Sequence, residues 1–264
     1  MKNYPLLLLL TLLVSACGQA PEEPPLPIDA EKFTQQREQA KRSVEKEVQQ
    51  DPSVSTGKET VTEKPVPEEP VSVEKEVKLT HDQAARRAID LSKKGDISEA
   101  ISVLKEAITN YPRSAQLYAL RSDIYRQDRN VNASLDDISV AIELNSESAS
   151  YHVGRAQLYI SQERMQEAEA DLNKAIELEP DLIAAHFNRG TLYAHLGQYE
   201  KALGDLDTCI NKAPAFAAPY FNRASVLEHL GRRQEAIADV ERFIELADNE
   251  EWKKVGRDQL LKWK

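Results

Sequence analysis

From His81 onward, small and large apolar residues recur among polar ones in a pattern that repeats every 34 residues without insertion, in units opening at His81, Ala115, Ala149, Ile183 and Ala217. The eighth place of each unit holds Ala88, Ser122, Ala156, Gly190 or Ala224, and the twentieth holds Ala100, Ser134, Ala168, Ala202 or Ala236. Small side chains at these places let two helices come close. Large ones fill the space beside them: Leu91, Tyr125, Tyr159, Tyr193 and Leu227 at the eleventh place, Leu104, Ile138, Leu172, Leu206 and Val240 at the twenty-fourth. Apolar residues at helical spacing predict two amphipathic helices per unit. Gly95, Gly197 and Gly231 fall in the turns between paired helices. Pro112, Pro180 and Pro214 stop a second helix where its successor must start. A fixed period of this length predicts stacked helix pairs.

Five registers in phase over residues 81 to 248 resemble the tetratricopeptide repeat family. The resemblance implies an all-α superhelix, an α-solenoid of helix-turn-helix units spanning 81–114, 115–148, 149–182, 183–216 and 217–249, whose first helices line a concave groove. Ser146 and Asp248 replace the closing proline, and Arg129 and Glu163 replace the turn glycine, so turn geometry is least determined in units two and three. Residues 250–264 follow as EEWKKVGRDQLLKWK; Trp252, Val255 and Trp263 fall on one side of a helix that would cap the last exposed face.

HFNRG at 186–190 returns as YFNRA at 220–224. The arginine belongs to a series through every unit at the seventh place: Arg87, Arg121, Arg155, Arg189 and Arg223, then Arg257 in the cap. Acids follow at the twenty-third place as Asp137, Asp171, Asp205 and Asp239, with Val103 the exception. A guanidinium fork can take a carboxylate through two bonds, which predicts an Arg-Asp ladder inside the stack. Pairing within a unit and pairing with the next unit both satisfy all four aspartates.

Phe and Asn, by contrast, are peculiar to the last two units. The family's geometry sends the second, fifth, sixth, ninth, twelfth and thirteenth places toward the groove, where these units present Phe187, Asn188, Thr191, His195, Phe221, Asn222, Ser225, Glu228 and His229. Exposed rings beside carboxamides suit an extended peptide, since Asn can bond both the N–H and C=O of a partner backbone. The other reading is that Phe and Asn pack and order neighbouring helices. The cationic clamp of chaperone-type relatives does not carry over, because its first-unit places hold Ala85 and Ile89. Arg86, Lys93 and Arg126 against Asp82 and Asp123 read as a solvated, mixed-charge face.

Charge and composition change the picture mainly outside the repeats. Residues 18 to 80 contain one aromatic residue, Phe33, among many Pro, Glu, Lys, Val and Gln, so 17–80 reads as a disordered tether. Before it, LLLLLTLLV at 6–14 is too short to span a bilayer and reads as the core of a signal peptide over 1–16. VSAC at 14–17 resembles the bacterial lipobox, which implies diacylglycerol on Cys17 and an N-acyl chain, with no other cofactor. That leaves Cys209 as the one other thiol, most simply a small buried residue. A net charge of -10 provides no basic stripe for nucleic acid or anionic lipid.

No Ser-His-Asp order, phosphate loop, HExxH or paired-cysteine spacing occurs, which points away from an enzyme and from a bound metal. His152 and His186 take a core-facing place, while His195 and His229 share the thirteenth place of adjoining units and read as polar groove residues. The expectation is a lipid-anchored envelope scaffold for a protein or peptide partner, similar to pilus-assembly lipoproteins or adaptors of cell-wall enzymes. Gly18, in place of the Asp of inner-membrane retention, favours the outer membrane. The alternative is a structural subunit, a homo-oligomer joined through its convex face or terminal units.

Overall fold

Thr80 starts the folded repeats: its side chain accepts from the Gln83 N–H while the Gln83 side chain accepts from the Thr80 N–H, a reciprocal cap on the first helix. The computed structural model describes residues 79–263. The signal peptide, Cys17 and the tether expected before Leu79 lie outside the described residues. Five helix pairs follow: α1 (His81–Lys94) with α2 (Ile97–Asn110), α3 (Ala115–Gln127) with α4 (Val131–Leu144), α5 (Ala149–Ser161) with α6 (Met165–Leu178), α7 (Ile183–His195) with α8 (Tyr199–Lys212), and α9 (Ala217–His229) with α10 (Arg233–Leu246). A single helix, α11 (Glu250–Trp263), closes the series, and no strand occurs among the described residues. Each second helix packs on its own first helix and on the first helix of the next unit.

The turns inside the pairs are uniform. Gly95, Gly197 and Gly231 take φ of 87°, 73° and 75°, and Arg129 and Glu163 take the same left-handed conformation at 59° and 60°. The departures from glycine therefore leave the turn unchanged and place a Cβ where it is disfavoured. Glu163→Gly is expected to raise stability by about 0.5–1 kcal/mol, after the added freedom of the unfolded chain is subtracted. A urea melt of the variant with an unshifted or lowered midpoint would count against that strain.

Close approach occurs where the small residues predict it. Ala88, Ala100, Ala156, Ala168, Ala202, Ala224 and Ala236 are fully buried, and a Cβ on Gly190 would lie 3.1 Å from both Asp205 Cβ and Leu206 Cγ. Unit two replaces two alanines with Ser122 and Ser134, whose hydroxyls each donate to the other's backbone carbonyl at 2.8 Å. The pair thus keeps the helices close while satisfying both buried hydroxyls.

The arginine series chooses its partner within the unit. Arg121, Arg155, Arg189 and Arg223 each donate through Nε and Nη2 to Asp137, Asp171, Asp205 and Asp239, sixteen residues on, at 2.6–2.8 Å. The ladder therefore ties each first helix to its own second helix. In the last two units the remaining Nη1 reaches the preceding unit, to Asn173 at 2.7 Å and Asp207 at 2.6 Å. Beside the flanking carboxylates Asp239 and Asp207, the Arg223 guanidinium is held well above the usual arginine range. Arg87, lacking an acid at the twenty-third place, turns to Glu99 on the exposed surface. His152 and His186 are buried in the same layer, with Nδ1 2.9–3.0 Å from Asp171 or Asp205 and Nε2 facing the carbonyl of Ser146 or Pro180.

Both ends of the stack are finished differently from its middle. The third and tenth places are buried against the preceding unit as Leu117 and Ile124 or Ala185 and Leu192, whereas unit one has exposed Gln83 and Asp90 there. At the other end, Asn249 accepts from the Trp252 N–H and starts α11. The packed stripe of α11 is Trp252, Gly256, Leu260 and Trp263. Val255, expected on that stripe, is instead 38% exposed, because the helix turns its Gly256 toward α10. A Cβ on Gly256 would sit 2.5 Å from Ile244 Cγ1, so the stripe is set by closest approach rather than by the largest side chains. No helix among the described residues is long and apolar enough to cross a membrane.

Candidate binding face

The first helices α1, α3, α5, α7 and α9 carry the face on which the nine groove candidates were placed. Phe187 is 1% exposed and packs on Phe216 with ring centroids 5.4 Å apart, so it is a core residue and not a groove anchor. Asn188, Thr191 and Asn222 are buried as well. Asn188 donates to the Ala184 carbonyl at 2.7 Å and accepts from Gln157 at 3.5 Å. Thr191 donates to the Phe187 carbonyl at 2.8 Å and accepts from Asn222 at 2.9 Å. These groups are spent on one another and are not free for a peptide backbone.

Of the other five candidates, Phe221 is partly exposed and leans on Phe243 at 4.9 Å. Ser225 and Glu228 are partly exposed, Glu228 lying 3.3 Å from Arg233. His195 and His229 are exposed. The His229 ring stacks on Tyr199 at 4.9 Å, and its Nδ1 donates to the Ser225 carbonyl at 2.8 Å. No group of three or more His, Cys, Asp or Glu side chains among the described residues is placed to hold a metal ion. At this end α7 comes directly against both α5 and α9, and Ala184, Ala194 and Ala218 stand at groove places of α7 and α9.

Open polar surface lies on units one to three instead. Asp82, Arg86 and Lys93 are exposed on α1 beside apolar Ile89, as are Gln116, Asp123 and Gln127 on α3 and Ser150 and Ser161 on α5. The Asp123 side chain is 54% exposed, yet desolvation holds its carboxyl above the ordinary aspartate range, with Arg126 pulling it partly back. Protein crowds the carboxyl while water still reaches it. Cys209 is different: burial, with Asp205 nearby, pushes its thiol up to about 12, so it stays protonated and unreactive at neutral pH.

Three sequence models, each described as tetratricopeptide repeat, match residues 86–149, 156–219 and 217–250, together more than half of the chain. The chain belongs to the tetratricopeptide repeat family. No curated protein matches the sequence significantly. Among solved tetratricopeptide structures, a thermophilic protein of Thermus thermophilus is 18% identical with a TM-score of 0.58, over 68% of this chain and 98% of that one. PilW, described as a widely conserved type IV pilus biogenesis factor, is 18% identical with a TM-score of 0.58, over 62% of this chain and 76% of its own. YrrB, described as having an unusual peptide-binding site, is 17% identical with a TM-score of 0.54, over 67% and 91%. At identities this low the likeness is one of fold alone.

Within that fold, Asp123 is the residue sequence reasoning passed over. As one member of a mixed-charge set with Arg86, Lys93, Arg126 and Asp82 it reads from sequence as solvated, and Arg126 stands within its reach. That pair is a single contact at 3.4 Å, long for an ionic hydrogen bond. The signal that could have singled Asp123 out is its register: it occupies the ninth place of unit two, opposite a glycine at the sixth place of unit three.

Proposed function

We propose that the protein is a non-enzymatic, lipid-anchored scaffold of the bacterial cell envelope that holds an extended segment of a protein partner along the first helices of its repeats. The observation that carries this reading is the row of exposed polar side chains across α1, α3 and α5, including a crowded but water-accessible Asp123 carboxyl, on a stack braced internally by its own Arg-Asp pairs. Attachment through acylated Cys17, delivery by residues 1–16 and an outer-membrane address rest on LLLLLTLLV, VSAC and Gly18. The peptide-binding site of YrrB and the part of PilW in type IV pilus biogenesis are in keeping with this reading.

Photoreactive residues placed at Gln116 and Ser150 in living cells test the groove. The expected result is one partner captured from both positions and not from Glu106 or Asn211 on the second helices. Capture from the second helices alone would overturn the assignment. One observation favours the alternative of self-association: Leu261 is 74% exposed on α11. That reading requires a mass that rises with concentration and falls to the monomer in Leu261→Lys.

A further inference from the structure

At two of the four junctions, neighbouring first helices are joined by a hydrogen-bonded rung between the ninth place of one unit and the sixth place of the next. At the third-to-fourth junction the rung is Gln157 donating to Asn188, and at the fourth-to-fifth it is Asn222 donating to Thr191. At the second-to-third junction the same two places hold Asp123 and Gly154. Glycine has no side chain to offer the carboxylate. A Cβ at Gly154 would find a single neighbour within 4 Å, Ile138 Cδ1 at 3.8 Å, so the space over Gly154 is open. The helices α3 and α5 also make the least direct contact of the four junctions. One rung in the series is thus a notch with a carboxylate on one side.

The notch has an apolar neighbour. At the first-to-second junction the rung places hold exposed Ile89 and partly buried Leu120. Packed helices lie about 8–10 Å apart. A polyproline II segment rises ~3.1 Å per residue with three residues per turn, so residues i and i+3 point to the same side roughly 9 Å apart. A β-strand offers the same side only at about 7 or 13 Å, two or four residues on. The geometry of successive rungs therefore matches a polyproline II segment better than a strand.

Building on the groove reading above, we propose that Asp123 and the gap at Gly154 take a lysine or arginine side chain from a partner segment in polyproline II conformation. An apolar side chain three residues away in that segment sits on Ile89 and Leu120. The cation supplies the donor that the missing sixth-place side chain would have given.

The test uses the full chain in detergent and fluorescent peptides of the form Pro-Pro-Lys-Pro-Pro-Leu-Pro-Pro. The lysine is replaced in turn by Arg, Gln and Glu, and its spacing from leucine is varied by one residue each way. Lys and Arg peptides at the original spacing are expected to bind at least about tenfold more tightly than Gln or Glu peptides. Asp123→Asn should remove that preference. Gly154→Asn, which refills the rung within a helix that has room for it, should do the same, while Asp136→Asn on α4 should not. Thermal melts of each variant verify folding. Peptides bound without regard to the basic residue, or equally by the Asp123 and Gly154 variants, overturn the notch and leave the groove standing. Failure of every peptide to bind also overturns the notch, while the groove reading is decided by the photocrosslinks at Gln116 and Ser150.

Discussion

Asp205→Ala is expected to cost about 3–5 kcal/mol, the largest effect of any single substitution in the repeats. The Asp205 carboxylate is nearly inaccessible to water and receives Arg189 Nε and Nη2 at 2.8 Å, with His186 Nδ1 at 2.9 Å. Its removal leaves a guanidinium without its fork partner and the His186 Nδ1 without its carboxylate, in the narrow space where Gly190 meets Leu206. Thermal denaturation followed by circular dichroism should show the affected transition lowered by roughly 10 °C. Asp181→Ala, which removes the exposed partner of Lys212, should change stability by less than about 1 kcal/mol. Arg189→Leu combined with Asp205→Leu should recover much of the loss, because the cost lies in the orphaned charge rather than in the absent pair. An Asp205→Ala protein that melts with the parent would show that the ladder is ornamental.

The ladder also shows what a period can and cannot specify. Recurrence of Arg at the seventh place and Asp at the twenty-third fixes the two residue types, but both candidate pairings repeat equally well along the chain. Only the docking of α7 on α8, with Gly190 at the contact, brings Asp205 to Arg189 rather than to Arg223. Helix pairs, turns and closing residues were legible because each depends on local chemistry: small residues at the contacts, left-handed turns, a proline stop. Exposure on the groove was not, since it depends on neighbours from three units. Phe187 has a groove register, yet Phe216 covers it and α7 comes directly against both α5 and α9. The same closeness turns Asn188, Thr191 and Asn222 from ligand-facing groups into rungs. Where a rung lacks one side chain, as at Gly154, surface remains for something else to bind.

Deletion of residues 250–264 is expected to unfold the last repeat and make the protein aggregate. Trp252 is buried against Phe243 at 6.4 Å between ring centroids, while Leu260 and Trp263 cover Ala224, Leu227, Ala236 and Val240. Burial of a large apolar side chain contributes about 1.5–3 kcal/mol, so the helix supplies on the order of 5 kcal/mol to a unit with no following neighbour. Its loss uncovers the aromatic cluster through Phe221 and Phe243 as well as the end of the stack. Stability in a stack passes from unit to unit, so loss of the fifth repeat weakens the fourth before it reaches the first. Hydrogen exchange should therefore rise most in α9 and α10 and least in α1 and α2. A truncated protein that stays soluble, with α9 and α10 as protected as in the full chain, would mean that α11 is a tail rather than a cap. Exposed Leu261 would then be the first place to look for its partner.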